Sequence, residues 1–361
     1  MSAIAFMLVL PLLTVSLWMG ATSASALPLP TPTSAVLYGC WLAFQAVLYA
    51  VVPGKVREAA GLRYTLNGWT CLWVTLAAAL LVVERGWVSS TAAYDLFGPL
   101  LATANIFAFA CSFGLYARGR RVGMSAQDYF KGLALNPRLG GFDLKFFCEG
   151  RPSLLLWLLF NLSMAAKQYQ LHGALSLSMV LVNVFQALYV ADYFFHEEAV
   201  LSTWDMRHEK FGWMLCWGTL VWVPFTYGLQ ALYLVNHPYA PSPMFAAAVV
   251  VLNTAGYLIF RGANLQKHRF RQDPAQGGRL LASGWWGAAR HPNYLGDLCM
   301  ALAWCLACGF NHLLPYFYFF SLLALLLQRE RRDHARCLAA YGEEWKTYCR
   351  AVPARIVPGF Y

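Results

Sequence analysis

"GALSLSMVLVNVFQALYVADYFFHEEAV", residues 173–200, carries the fold in its pattern. Its apolar part is long enough for a membrane-spanning helix, which needs roughly 17–25 such residues. Yet Asn183, Gln186, Tyr189, Asp192, Tyr193, His196 and Glu197 recur along it at steps of three and four. On a helix this spacing gathers them on about one half of the surface. Ionisable groups at membrane depth are costly, so they face a partner or a cavity. The stripe therefore reads either as a hydrogen-bond seam inside a bundle or as one wall of a polar pocket.

The rest of the chain repeats the apolar theme. Of 361 residues, 59% are hydrophobic and only 12% charged. A soluble domain carries about twice that charged fraction. Ten apolar runs are candidate spans: about 2–20, 35–53, 68–83, 96–117, 153–166, 174–195, 211–235, 244–260, 295–310 and 313–327. The third, fifth and last two are short, and the fifth is the weakest. All Lys and Arg except Arg85 and Lys167 fall after even-numbered spans, in 54–67, 118–152, 196–210, 261–294 and 328–361. The positive-inside rule then predicts ten helices with both termini cytoplasmic. The net charge of +10 becomes a cytoplasmic skirt for anionic lipid, with a few cations reserved for an anionic ligand. Residues 1–26 resemble a signal peptide but lack a basic start, so a retained first helix is expected. The expected fold is all-α, a polytopic membrane bundle forming a single domain over 1–361. Residues 1–150 supply N-terminal helices and 151–361 the working half.

Other polar segments narrow the chemistry. "FRGANLQKHRFR" (260–271) places Asn264, Lys267 and Arg271 on one helical face. "QRERRDHARCLAAYGEEWKTYCR" (328–350) places Arg329, Asp333, Arg336, Cys337 and Tyr341 at three- and four-residue steps. "SGWWGAARHPNYLGDL" (283–298) adds two tryptophans, Arg290, His291, Asn293 and Tyr294. Each reads either as a solvated helix end or as part of a phosphate-binding surface, since guanidinium forks grip phosphate. No Gly-rich phosphate loop is present, so a nucleotide site would have another architecture. The eight His are scattered, and no metal is expected. Cys305 and Cys308 lie in a membrane span and read as packing. No charge run reads as a nucleic-acid surface.

These segments, with "HLLPYFYF", "WVPFTYGLQALYLVNHP", "HEEAVLSTWD" and "LNPRLGGFDLKFFCEGRP", resemble the sterol reductase family. That family includes sterol C14 reductases, 7-dehydrocholesterol reductases and the membrane half of the lamin B receptor. The likeness covers about 63–361. "HEEAVLSTWD", "WVPFTY", "IFRGANLQK" and "RHPNYLGD" look like C14 reductases; "NLSMAAKQYQLHG", "MVLVNVFQALYVADYFF", "FGWMLCWG" and "PGFY" look like C7 reductases. Thr219 stands where members commonly show Asp.

The resemblance implies NADPH-dependent reduction of a sterol nuclear double bond, most simply at C14, with C7 as the alternative. It implies a cytoplasmic-side cofactor pocket in the C-terminal half, built from Lys267, Arg271, Trp286, Asn293, Tyr294, Arg329, Asp333, Cys337, Tyr341 and Tyr348. Arg290 and His291 are expected near the phosphates. Tyr189 is expected beside the nicotinamide, facing the sterol. An alkene accepts hydride only after protonation, so an acid is needed; Tyr189 or Asp333 can supply it. The expected partners are a sterol and membrane lipid, with no obligate protein partner. The membrane would be the inner membrane of a bacterium or the endoplasmic reticulum of a eukaryote. Two rivals are a membrane S-adenosylmethionine-dependent methyltransferase, which shares "RHPxYxG", and a sterol-binding scaffold without turnover. "RERRD" at the last span, where those methyltransferases show an acidic pair, favours the reductase.

Overall fold

Small hydroxyl side chains start the helices where the apolar runs begin. Ser2, Thr31, Ser176 and Ser242 each accept a backbone N–H of the first turn, and Thr31 forms a capping box with Ser34. A computed structural model describes residues 2–119, 124–273 and 279–361. Arg120 and Arg121 of the expected skirt lie outside the described residues. The chain forms two compact units, Met1–Pro238 and Tyr239–Tyr361.

The first unit holds α1 (Ala3–Thr22), α2 (Pro32–Val51), α3 (Gly68–Glu84), α4 (Phe97–Gly119), α5 (Leu144–His172), α6 (Leu177–Phe195) and an interrupted segment α7 (Trp213–Asn236). The second holds α8 (Pro243–Gln272), α9 (Trp285–Ala288), α10 (Pro292–Leu306), α11 (Phe317–Tyr341) and α12 (Glu343–Ala351). Among the described residues, α1, α2, α4, α6, α7 and α8 are long and apolar enough to cross a bilayer. An all-α polytopic membrane fold fits. The four other expected runs are also helical, in α3, α5, α10 and α11. Two short antiparallel hairpins interrupt the helices: Lys55–Ala59 with Leu62–Leu66, and Arg138–Leu139 with Phe142–Asp143.

Segment α7 is broken for a chemical reason. Pro224 has no N–H, so the Leu220 carbonyl loses its normal helical partner. A π-turn at Gly218–Trp222 takes up the irregularity, and Tyr38 Oη donates to Leu220 O at 3.0 Å. The donor from α2 thus satisfies a carbonyl that proline orphans in α7.

The stripe on α6 divides. Gln186 is fully buried and forms a seam: Trp157 Nε1 (3.2 Å) and Asn161 Nδ2 (2.6 Å) donate to its Oε1, and its Nε2 donates to Gln230 Oε1 at 3.2 Å. Glu197 is also buried, paired with Arg151 at 2.6 Å and accepting Gly68 N at 2.8 Å. Arg151 donates to Asn67 Oδ1 at 2.7 Å and lies 4.3 Å from the Tyr49 ring centre. This knot ties α3, α5 and the end of α6. Removing one partner of such a buried pair costs about 3–5 kcal/mol, because the other charge stays buried.

In the second unit α8 and α10 pack closely through glycines. A Cβ on Gly296 would meet the Phe260 backbone, and one on Gly256 would lie 2.8 Å from Cys299 Cβ. The C-terminal segment returns to the start of α10: Arg290 N donates to Ala354 O (3.0 Å) and His291 N to Arg355 O (2.8 Å). Cys337, Trp345, Tyr348 and Val352 form a small core that seats α12 against α11.

Candidate cofactor site

The cofactor candidates all belong to the second unit. Lys267 and Arg271 lie one turn apart on α8, which puts them on one face. Trp286, on the short helix α9, is buried. Its Nε1 donates to Ala263 O at 3.0 Å, and Tyr348 Oη donates to its carbonyl at 2.8 Å. The indole is therefore tied to α8, and the Trp286 backbone to α12. Lys267 Nζ sits 4.1 Å from its ring centre, a cation–π contact worth about 0.5–2 kcal/mol. Burial pushes the Tyr348 hydroxyl up to about 12, so it remains a donor.

Asp333 is the centre of the polar group. Arg336 Nη2 lies 2.8 Å from its Oδ1, Cys337 Sγ 3.8 Å and His291 Nε2 4.0 Å from its Oδ2. Burial alone would raise this carboxyl, but the Arg336 hydrogen bond and the surrounding positive charge outweigh it and hold it below the usual carboxylate range. Asp333 is thus an anion at neutral pH, suited to orientation. Arg336, three residues on along the same helix, is the arginine that bonds Asp333. The charge of Arg329 acts on Asp297. Burial, above all, pushes His291 down to about 4, so its ring is neutral as it stacks on Tyr294 at 4.7 Å and 10°. Burial and the Asp333 charge push Cys337 up to about 11, so it stays a thiol.

Asn293 donates from Nδ2 to Asn264 Oδ1 at 3.3 Å. Its Oδ1 is buried with no hydrogen-bond partner, which leaves one acceptor open. Arg271 and Tyr341 are exposed, and Arg329 half-buried. Arg290 departs from expectation. It is only 6% exposed, and its guanidinium donates to His334 Nδ1 (3.3 Å), Cys349 Sγ (3.3 Å) and Pro353 O (3.1 Å). It struts α10 against α11, α12 and the C-terminal segment instead of facing a phosphate. Trp345 Nε1 also donates to His334 Nδ1, at 3.2 Å, so that nitrogen is an acceptor. His334 and Trp345 were not singled out from sequence; the pairing joins residues eleven apart across a helix break.

Tyr189 lies in the first unit, half-buried on α6, its ring centre 6.1 Å from that of Trp157. Cys305 and Cys308 donate to the carbonyls of Pro315 (3.1 Å) and Trp304 (3.6 Å), which is packing chemistry.

Comparison with known proteins places this geometry. The profile of the ergosterol biosynthesis ERG4/ERG24 family matches residues 12–361. A delta(14)-sterol reductase of Methylotuvimicrobium alcaliphilum is 51% identical over 359 residues, covering 92% of this chain and 84% of that protein. The delta(14)-sterol reductase TM7SF2 of Mus musculus is 44% identical over 361 residues, covering 92% and 86%. A 7-dehydrocholesterol reductase of Xenopus laevis is 41% identical over 391 residues, covering 92% and 82%. Matched along nearly its whole length, the chain belongs to the ergosterol biosynthesis ERG4/ERG24 family.

Proposed function

We propose that this integral membrane protein is an NADPH-dependent sterol reductase that saturates the C14 double bond of a sterol intermediate. The observation that carries the cofactor reading is the group around Asp333: an indole tied to α8 with its backbone tied to α12, an ammonium above it, a held anion and an open acceptor on Asn293. This set suits a phosphate-rich dinucleotide. Lys267, Arg271 and Arg329 offer charge to phosphates, the 2′-phosphate included. Trp286 offers an aromatic face and Asn293 Oδ1 an acceptor for an amide. Tyr294, Cys337, Tyr341 and Tyr348 complete the cofactor-binding residues. NADPH, when bound, supplies the hydride.

The residues of the chain supply the rest. Asp333, held ionised, orients. A phenol holds its proton at neutral pH; Tyr189 keeps it until the alkene takes it and is the acid. Two relatives named for the C14 reaction, at 51% and 44% identity, stand above the C7 relative at 41%. The Δ7 reaction is the weaker reading, and the methyltransferase and scaffold readings fall further behind. The charge pattern supports ten crossings in one membrane domain, both termini and the cofactor pocket cytoplasmic, with sterol and lipid as partners.

The test is direct. Purified protein with NADPH and a Δ8,14-sterol should give a product two hydrogens heavier by mass spectrometry, while a Δ5,7-sterol is left unchanged. Reduction of the Δ5,7-sterol with an inert Δ8,14-sterol would overturn the regiochemistry.

A further inference from the structure

The reaction proposed above takes one proton per turnover, and Tyr189 holds only one. We infer that Asp192 and His196 return that proton to Tyr189 from the aqueous end of α6. The inference rests on Tyr189 being the acid. Positions 189, 192 and 196 follow at steps of three and four, so they stack along one helix face. Exposure rises from Asp192 outward: the Asp192 side chain is 10% exposed and that of His196 32%. The outer link is visible. His196 Nδ1 lies 3.2 Å from Asp192 Oδ1 and 3.2 Å from the Asp192 carbonyl. Both are acceptors, so Nδ1 carries the N–H and Nε2 is the basic nitrogen. An imidazole set this way binds a proton at Nε2 and releases another from Nδ1. Burial lowers the affinity of His196 for protons, so it passes them on.

The other polar residues of the stripe are committed elsewhere. Gln186 has no acidic proton and is held by Trp157, Asn161 and Gln230. Glu197 is locked to Arg151 and Gly68. Tyr193 packs edge-on against Phe194, ring centres 5.2 Å apart.

The step balances. The Tyr189 O–H bond and the sterol's C=C π bond break as one C–H bond forms, and the second C–H bond would form with the hydride that NADPH gives up as it is oxidised. His196, having bound a solvent proton at Nε2, passes its Nδ1 proton to the Asp192 carboxylate, which hands a proton on to the Tyr189 phenolate. One solvent proton is consumed and the protein returns to its starting charge.

Rapid-quench kinetics test this with the full-length protein in detergent, a Δ8,14-sterol and NADPH. Asp192→Asn should reduce the first equivalent at the wild-type rate, because Tyr189 starts protonated. Later turnovers should slow at least about tenfold, since loss of a proton-transfer group commonly costs 10²–10⁴. A pH-indicator dye should show proton uptake lagging behind product. His196→Ala should show the same split, and imidazole in solution should restore its steady state. NADPH binding, followed by fluorescence, should stay at the wild-type level in both. Wild-type steady-state rates in both variants overturn the relay. So does loss of the first turnover with NADPH binding intact, which puts Asp192 in the chemical step itself or in the positioning of Tyr189 and not in its reprotonation. Failure of the underlying reading looks different: Tyr189→Phe would then turn over at the wild-type rate.

Discussion

At the scale of single residues, Asp333 decides how the site works. Its carboxyl lies below its ordinary value, so the stability gained from Arg336 is complete above the unfolded value of about 4 and is lost only as pH falls through the folded value. His291, pushed to about 4, is neutral over the same range. NADPH affinity should therefore not titrate through either group between about pH 6 and 8. A break near 6.5 in a fluorescence titration, assigned to His291 by its loss in His291→Gln, would mean a charged imidazole in the site. Asp333→Asn should weaken NADPH binding and slow turnover together, because it leaves Lys267 and Arg336 without their counter-ion. Lys267 poses the sharper question, since its ammonium already rests on Trp286. If it also binds the 2′-phosphate, Lys267→Ala should cost NADPH about 1.5–3 kcal/mol and NADH much less. Equal losses would confine Lys267 to holding the indole. The set of polar residues was readable from helical spacing; which arginine takes Asp333 was not. Arg329 and Arg336 lie on either side of it at four and three residues, and only the side-chain rotamers separate them.

At the scale of elements, α8 and α10 form the frame on which the site stands. Gly256 and Gly296 let the two backbones approach without side chains between them, a packing device common in membrane helices. Asn293 and Tyr294 lie in the first turn of α10, three and two residues before Gly296. Gly296→Ala should force the helices apart. It should cost about 1–3 kcal/mol of stability, as overpacking does, and weaken NADPH binding through displaced Asn293. Thermal unfolding in detergent and a binding titration check both. An alanine variant as stable as the parent would mean that α10 slides without cost. The elements show where sequence reading ran short. Residues 211–235 read as one span, and Trp213–Asn236 is one; what the reading did not give is the π-turn at Gly218–Trp222 ahead of Pro224, for which that proline was the signal. Residues 153–166 read as the weakest span, and α5, the 29-residue helix that holds them, is not among the six long and apolar enough to cross. Lys145 and Arg151 lower its apparent hydropathy, but both are fully buried and held inside the protein, Arg151 through Nη2 by Glu197 and Asn67. Lys145 donates to the carbonyls of Asp205, Met206 and Glu209.

At the scale of the whole molecule, hydropathy identified a polytopic helical membrane protein because the bilayer demands long apolar helices and little else can cross it. It could not say which of the shorter helices cross. Helices α3, α10 and α11 are too short or too charged at one end to be judged by composition, and that end is where function was placed. Charge gives an independent handle, since Lys and Arg mark the cytoplasmic side. Ten crossings put residues near 125 in the cytoplasm and residues near 90 on the opposite side. Ser125 caps a short helix that follows α4, and Ser89 and Thr91 frame Ser90 in the loop after α3. Ala275, another cytoplasmic position under this topology, lies outside the described residues. Cys40 is exposed, so the comparison must be made against the parent protein. In vesicles with the cytoplasmic face outward, a membrane-impermeant maleimide should label Ser125→Cys above the parent level and leave Ser90→Cys at that level. If α3 does not cross, α4 still separates the two positions and they exchange sides, so Ser90→Cys labels and Ser125→Cys stays at the parent level. That outcome would reverse the parity of every later segment, set the strongly basic 261–294 and 328–361 regions on the outer side, and remove the cofactor residues from the compartment that holds NADPH.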